Sequence, residues 1–171
     1  VQANVQPLLK IFVDICLFRA KPEQLPYSFF LMMLCIITYA FVGMGLNIID
    51  LPFNKAILVT GLDVSMMVGL TCAGLWIRSF LNRAVKTLAA IAGTGVLFTL
   101  AVIPVVLVLP EQPDAQGGIF SLLLLVIVMW NMGVLGHILS NALSFPFWAG
   151  IGVAIMYFYI SYKAVAMLSI V

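Results

Sequence analysis

Five apolar runs, each about long enough to cross a bilayer, constrain this chain more than any other feature. They cover roughly residues 28–49, 56–77, 87–109, 119–143 and 147–168. A helix crossing the ~30 Å hydrocarbon layer needs about 20 mostly apolar residues. Surrounded by lipid, such runs can satisfy their backbone polar groups only as helices or closed barrels, and their length selects helices. The predicted fold is therefore all-α, a polytopic membrane bundle of five transmembrane helices. Composition agrees with this: 64% of the 171 residues are hydrophobic and 8% are charged, against roughly 25% charged in a soluble domain. A soluble domain this small could not bury so much apolar surface. Disorder, nucleic-acid binding and a secreted disulfide scaffold are excluded as well, since they need high charge, basic patches and dense cysteine respectively. The net charge of +2 implies no anionic partner by itself. The partner that composition implies is the lipid bilayer.

The breaks between runs are legible in the residues. Asp50-Leu51-Pro52-Phe53-Asn54-Lys55 separates the first two, and Arg78-Ser79-Phe80-Leu81-Asn82-Arg83 the next. Pro110-Glu111-Gln112-Pro113-Asp114 follows the third run, and Ser144-Phe145-Pro146 alone divides the fourth from the fifth. Cys16, Cys35 and Cys72 share no short spacing and lie in apolar runs, so buried, reduced thiols are expected.

Ahead of the first span, residues 1–27 form a segment of a different kind. Pro7 suits a first helical turn, and Val5 to Ala20 is mostly apolar. Lys10, Asp14 and Lys21 fall within about 40° of one another on a helical wheel. This reads as an amphipathic helix lying in the interface, its apolar side in lipid or against the bundle. Lys21-Pro22-Glu23-Gln24-Leu25-Pro26 should end it, leaving Ser28 to cap the first span. The charges follow the apolar stretch and no small-residue cleavage site appears, unlike a secretory signal. The chain begins at Val1 rather than methionine, which leaves room for native sequence ahead of it.

Basic residues in short loops set orientation. Lys10, Arg19 and Lys21 precede the first span, and Arg78, Arg83 and Lys86 follow the second. Only Lys55 and Lys163 fall toward the other side, where Glu111 and Asp114 also lie. The expected topology has a cytoplasmic N-terminus and an external C-terminus in a bacterial inner membrane.

Ionisable groups within spans are costly unless paired or hydrated, which makes them functional candidates. Asp63 and Lys163 fall at similar depths on spans two and five, so an Asp63–Lys163 ion pair is expected, or snorkelling of the lysine. The alternative is a protonatable Asp63 in a proton or ion path. Asn131, near the midplane of span four, should hydrogen-bond a neighbouring helix. His137 is the sole histidine. It lies nearer the cytoplasmic boundary, roughly 15–20 Å in depth from Asp63, and reads as a helix-contact residue rather than a catalytic or metal-binding one.

Small residues four apart mark close helix packing: Ser65, Gly69 and Ala73 on span two, Ala89 and Gly93 on span three, Gly136 and Ser140 on span four, Gly150 and Ala154 on span five. They let backbones approach where lipid removes the hydrophobic drive between helices. Pro104 should kink span three by freeing the carbonyl of Leu100. No HExxH, GxSxG, nucleotide-binding glycine loop or cysteine–histidine cluster is present. No catalytic residue, cofactor or metal is therefore predicted, and no small-molecule substrate is identifiable.

The order of these features resembles the Ypt-interacting-protein (Yip) domain family. The likeness lies in the Pro22–Ser28 segment, a third span that follows a basic loop and reaches Ile103-Pro104, and Trp130 in the fourth span. The fourth span then leads into Gly136-His137-Ile138-Leu139-Ser140-Asn141-Ala142. The chain lacks the long hydrophilic arm of eukaryotic members and looks more like compact bacterial ones. The resemblance implies a non-enzymatic membrane protein acting through protein or lipid contacts. The expected function is thus a structural or scaffolding subunit of a larger inner-membrane assembly, with the Arg78/Arg83/Lys86 loop contacting partner subunits or anionic headgroups. The competing expectation is a transporter or channel component with a polar path near Asp63 and Asn131. Five spans without an inverted repeat weigh against the latter.

Overall fold

The computed structural model describes residues 5–108 and 115–170, with side chains over 8–108 and 118–163. Glu111 and Asp114, expected to mark an external loop, lie outside the described residues. Among those described, the structure is helical throughout: α1 (Val5–Cys16), α2 (Phe29–Asp50), α3 (Phe53–Ile77), α4 (Ala84–Val108), α5 (Ala115–Leu143) and α6 (Phe147–Ile170), with 3-10 turns at Pro22–Gln24 and Leu81–Arg83. Four stretches are long and apolar enough to cross a membrane: Phe29–Asp50, Phe53–Ile77, Leu81–Val108 and Gly118–Leu143. The Ser144-Phe145-Pro146 break does separate two helices, α5 and α6.

Local chemistry accounts for the helix ends. The Ser28 hydroxyl accepts from the Leu31 N–H at 3.2 Å and caps α2. Three helices stop at a non-glycine residue in the left-handed region: Phe18 after α1, Ser79 after α3 and Ser144 after α5. In each case a following amide reaches back to a carbonyl of the last turn, as from Phe80 to Leu75 at 2.8 Å and Phe145 to Ser140 at 2.9 Å. This closes the helix by satisfying carbonyls that lack a partner. Helix α4 continues through Pro104 to Val108.

The five long helices form a closed ring. Contacts run from α2 to α4, α4 to α5, α5 to α6, α6 to α3 and α3 back to α2. Two of the predicted small-residue pairs hold one seam. A Cβ on Gly150 would fall 2.6 Å from Ser140 Cβ, and one on Gly136 would fall 3.1 Å from the Ile151 backbone. Ala154 is fully buried beside them. On α4, Ala89 is buried, and a Cβ on Gly93 would strike the Phe12 ring, so this pair receives α1.

The Ser65–Gly69–Ala73 stripe does not pack within the bundle. All three residues are exposed on the outer face of α3, together with Gly61 one turn earlier, and added Cβ atoms at Gly61 and Gly69 would meet nothing. The reason is angular: α3 turns Met67, Thr71 and Leu75 inward, which leaves the small residues on the opposite side. Spacing placed the three residues on one face of α3 but could not say whether that face turned in or out.

Helix α1 is shorter than the sequence suggests. It ends at Cys16, and the Arg19 and Ala20 amides fold back onto the Asp14 carbonyl. Lys21 consequently leaves the face it was expected to share with Lys10 and Asp14. Phe12 and Ile15 are buried toward the bundle, while Leu9, Val13, Leu17 and Phe18 are exposed. Gly93, the seat of Phe12, lies nine residues beyond the start of α4, about 13 Å along its axis. The helix therefore lies alongside the bundle rather than beyond its end. Burial pushes the Cys16 thiol up to about 11.

Candidate functional site

The polar groups of the long helices converge at mid-height inside the ring. Tyr39 (α2), Asp63 (α3), Thr94 and Thr99 (α4), Asn131 (α5), and Tyr157 and Ser161 (α6) line one cavity of about 110 Å³. Every helix of the ring contributes. The volume is enough for a few water molecules with several polar partners each.

Asp63 is anchored by Tyr39, whose hydroxyl donates to Oδ2 at 2.6 Å. Gly95 makes that contact possible, because a Cβ there would fall 2.7 Å from the tyrosine ring. Farther along the α2–α3 hairpin, the Asn47 side-chain amide donates to Thr60 Oγ1 at 3.0 Å. The Thr94 hydroxyl is spent on the Ala90 carbonyl and that of Thr99 on the Gly95 carbonyl, as hydroxyls within helices commonly are. Ser161 Oγ is buried, with no hydrogen bond of ordinary geometry among the described residues, one turn after Tyr157.

The expected Asp63–Lys163 pair does not form. Among the described residues the one salt bridge is Arg83–Glu23, at 3.4 Å. Lys163 is exposed, with Nζ 5.8 Å from the centre of the Tyr159 ring. Depth was matched but direction was not. Tyr157 and Ser161 are the α6 residues facing Asp63, and Lys163, two positions past Ser161, points about 200° away. Asn131 lines the cavity but, among the described residues, has no hydrogen bond to a neighbouring helix of the kind expected of it.

His137 stands apart from this cavity and holds down the end of α1. Its Nε2 lies 3.1 Å from the Ala20 carbonyl and its Nδ1 3.4 Å from the Asn141 amide. A proton on Nε2 satisfies both contacts. Two turns earlier Trp130 Nε1 donates to the Cys16 carbonyl at 2.8 Å. The Phe18 ring lies between them, 6.1 Å from Trp130 and 5.5 Å from His137. Trp130 and His137 thus clasp the backbone that leaves α1.

The basic loop divides into committed and uncommitted cations. Arg83 Nη1 reaches the carbonyls of Asn141 and Ala142 and the Ser144 hydroxyl, besides Glu23. Lys86 Nζ donates to the Glu23 carbonyl at 2.8 Å. Arg83 thus ties Glu23 to the α5–α6 connection, and Lys86 ties it to the first turn of α4, at one end of the ring. Arg78 instead lies over the Phe145 ring at 4.6 Å, with no hydrogen-bond or acidic partner among the described residues.

No family model matches the chain, and neither a curated protein nor a solved structure matches it. Four residues that sequence reasoning passed over are central here: Tyr39, Gly95, Tyr157 and Ser161. Hairpin register was the available signal for Tyr39. Folding the chain about Leu51-Pro52 brings residues near 39–42 level with Asp63.

Proposed function

We propose that the protein is a non-catalytic integral membrane subunit with five spans, acting through helix packing within a larger bacterial inner-membrane assembly. One observation carries this reading: the outward Gly61–Ser65–Gly69–Ala73 face of α3. It is a run of four small residues at four-residue spacing, in which Gly61 and Ala73 edge grooves toward α2 and α6 and Gly69 between them meets nothing of the bundle. Such faces admit a second helix at close range, and a bilayer gives little other reason for a helix to choose a partner. In this reading α6 is the fifth span, and α1 is an amphipathic helix that enters from the cytoplasmic side and packs alongside the bundle, clasped to α4 and α5. The N-terminus is cytoplasmic and the C-terminus external. The Yip-like order of features, from the Pro22–Ser28 segment to the Gly136–Ala142 run, agrees with a role in protein or lipid contacts.

The cavity at Asp63 favours a second reading, a transporter or channel component with its polar path beside Asp63 and Asn131. Its small volume and its Tyr39 anchor fit a structural polar knot better than a conduit. Native purification followed by mass spectrometry separates the two. Stoichiometric partner subunits support the first, and an isolated oligomer with Asp63-dependent ion flux in liposomes replaces it with the second.

A further inference from the structure

One feature left unexplained is an apolar groove between α3, α5 and α6. It encloses about 300 Å³, with Leu70, Gly74 and Ile77 on one wall, Leu139 and Met156 on another, and Tyr157 at its inner end. Arg78 and Phe145 stand together at its mouth. From Arg78 to Leu70 the groove follows eight residues of helix, about 12 Å. That is most of the depth of one leaflet of a ~30 Å hydrocarbon core.

We propose that this groove is a specific site for an anionic phospholipid, with one acyl chain against α3 and α6 and the phosphate on Arg78. The shape suits a chain, since the walls are apolar along its length. The mouth suits a phosphate. The Arg78 guanidinium is held over Phe145, and its donors have no acceptor among the described residues, whereas the neighbouring Arg83 and Lys86 are already bonded to the protein. A planar guanidinium fixed by stacking presents two parallel N–H groups to phosphate oxygens, a geometry that lysine lacks. A zwitterionic lipid brings its own cation to the mouth and gains less there. The proposal rests on the membrane placement given above and not on the subunit reading.

The test is native mass spectrometry of the full chain in detergent, titrated with phosphatidylglycerol or phosphatidylcholine of identical chains. The wild type should retain one phosphatidylglycerol at least about tenfold more tightly than phosphatidylcholine, a factor expected of a charge-assisted contact. Arg78→Gln should abolish that preference while leaving the melting temperature unchanged, and Lys55→Gln should keep it. Gly74→Phe, which fills the groove at a position where an added Cβ would meet Leu143 at 3.7 Å, should lower retention of both lipids. Equal retention of the two lipids by the wild type, or an undiminished preference in Arg78→Gln, overturns the proposal. Lipid is counted on the isolated chain, so a failure to find partner subunits is read separately.

Discussion

Removing one hydroxyl from Tyr39 tests how the buried carboxylate is held. At 2.6 Å the contact with Asp63 has the length of a charge-assisted O–H···O bond, about 2.5–2.7 Å. Hydrogen bonds to charged groups are worth about 1.5–3 kcal/mol in soluble proteins. Side-chain pairs within membranes average about 0.6 kcal/mol and reach about 1.7. The short distance and the part-buried site place this pair near the top of the membrane range, so a coupling of about 1.5 kcal/mol is expected. The assay is a double-mutant cycle of Tyr39→Phe and Asp63→Asn, read by reversible unfolding in mixed micelles. Phenylalanine keeps the ring packed on Gly95, so the cycle isolates the hydroxyl. A parallel cycle with Lys163→Met and Asp63→Asn should couple by less than about 0.3 kcal/mol, the scatter between independent sites. A Tyr39–Asp63 coupling within that scatter would refute the reasoning, as would a Lys163–Asp63 coupling of comparable size.

Other expectations follow from the same contacts. Gly150→Ala should lower stability by about 1–3 kcal/mol, because the new methyl meets Ser140 and the Gly136 carbonyl across a tight seam. Gly69→Ala, facing outward, should leave monomer stability within about 0.5 kcal/mol. His137→Ala should free the end of α1 and speed tryptic cleavage after Arg19, with Trp130→Phe adding to the effect. Ser79→Gly should raise stability by about 0.5–1 kcal/mol, since glycine adopts the left-handed cap without the Cβ penalty. With its thiol raised to about 11, Cys16 should be about one part in a thousand thiolate at pH 8. It should therefore resist maleimide in the folded protein and react once the chain is unfolded.

What the sequence revealed and concealed divides along a physical line. Position along the membrane normal is written in the chain, because hydrocarbon demands a fixed length of apolar residues and short loops carry the charge. The helix limits accordingly lie within a few residues of expectation, from the Ser28 cap to the break at Ser144. Direction around each helix is not written there, because lipid-facing and core-facing residues are equally apolar. Lys163 had the right depth for Asp63 and the wrong azimuth, and the Ser65–Gly69–Ala73 stripe had the right spacing and faced outward. Tyr39 escaped notice because a tyrosine in an apolar run counts as bulk until hairpin register puts its hydroxyl opposite an acid. The division of the basic loop into Arg83 and Lys86, which bind the protein, and Arg78, which does not, required the fold itself.

Site-specific photocrosslinking in native membranes tests most directly whether α3 presents a docking face. A photoreactive residue at Gly69 would be compared with one at Leu122, which is 64% exposed on α5. The expected result is a discrete protein adduct from Gly69, formed at a position facing another membrane helix, and only lipid adducts from Leu122. Lipid adducts alone from both positions would contradict the proposed role.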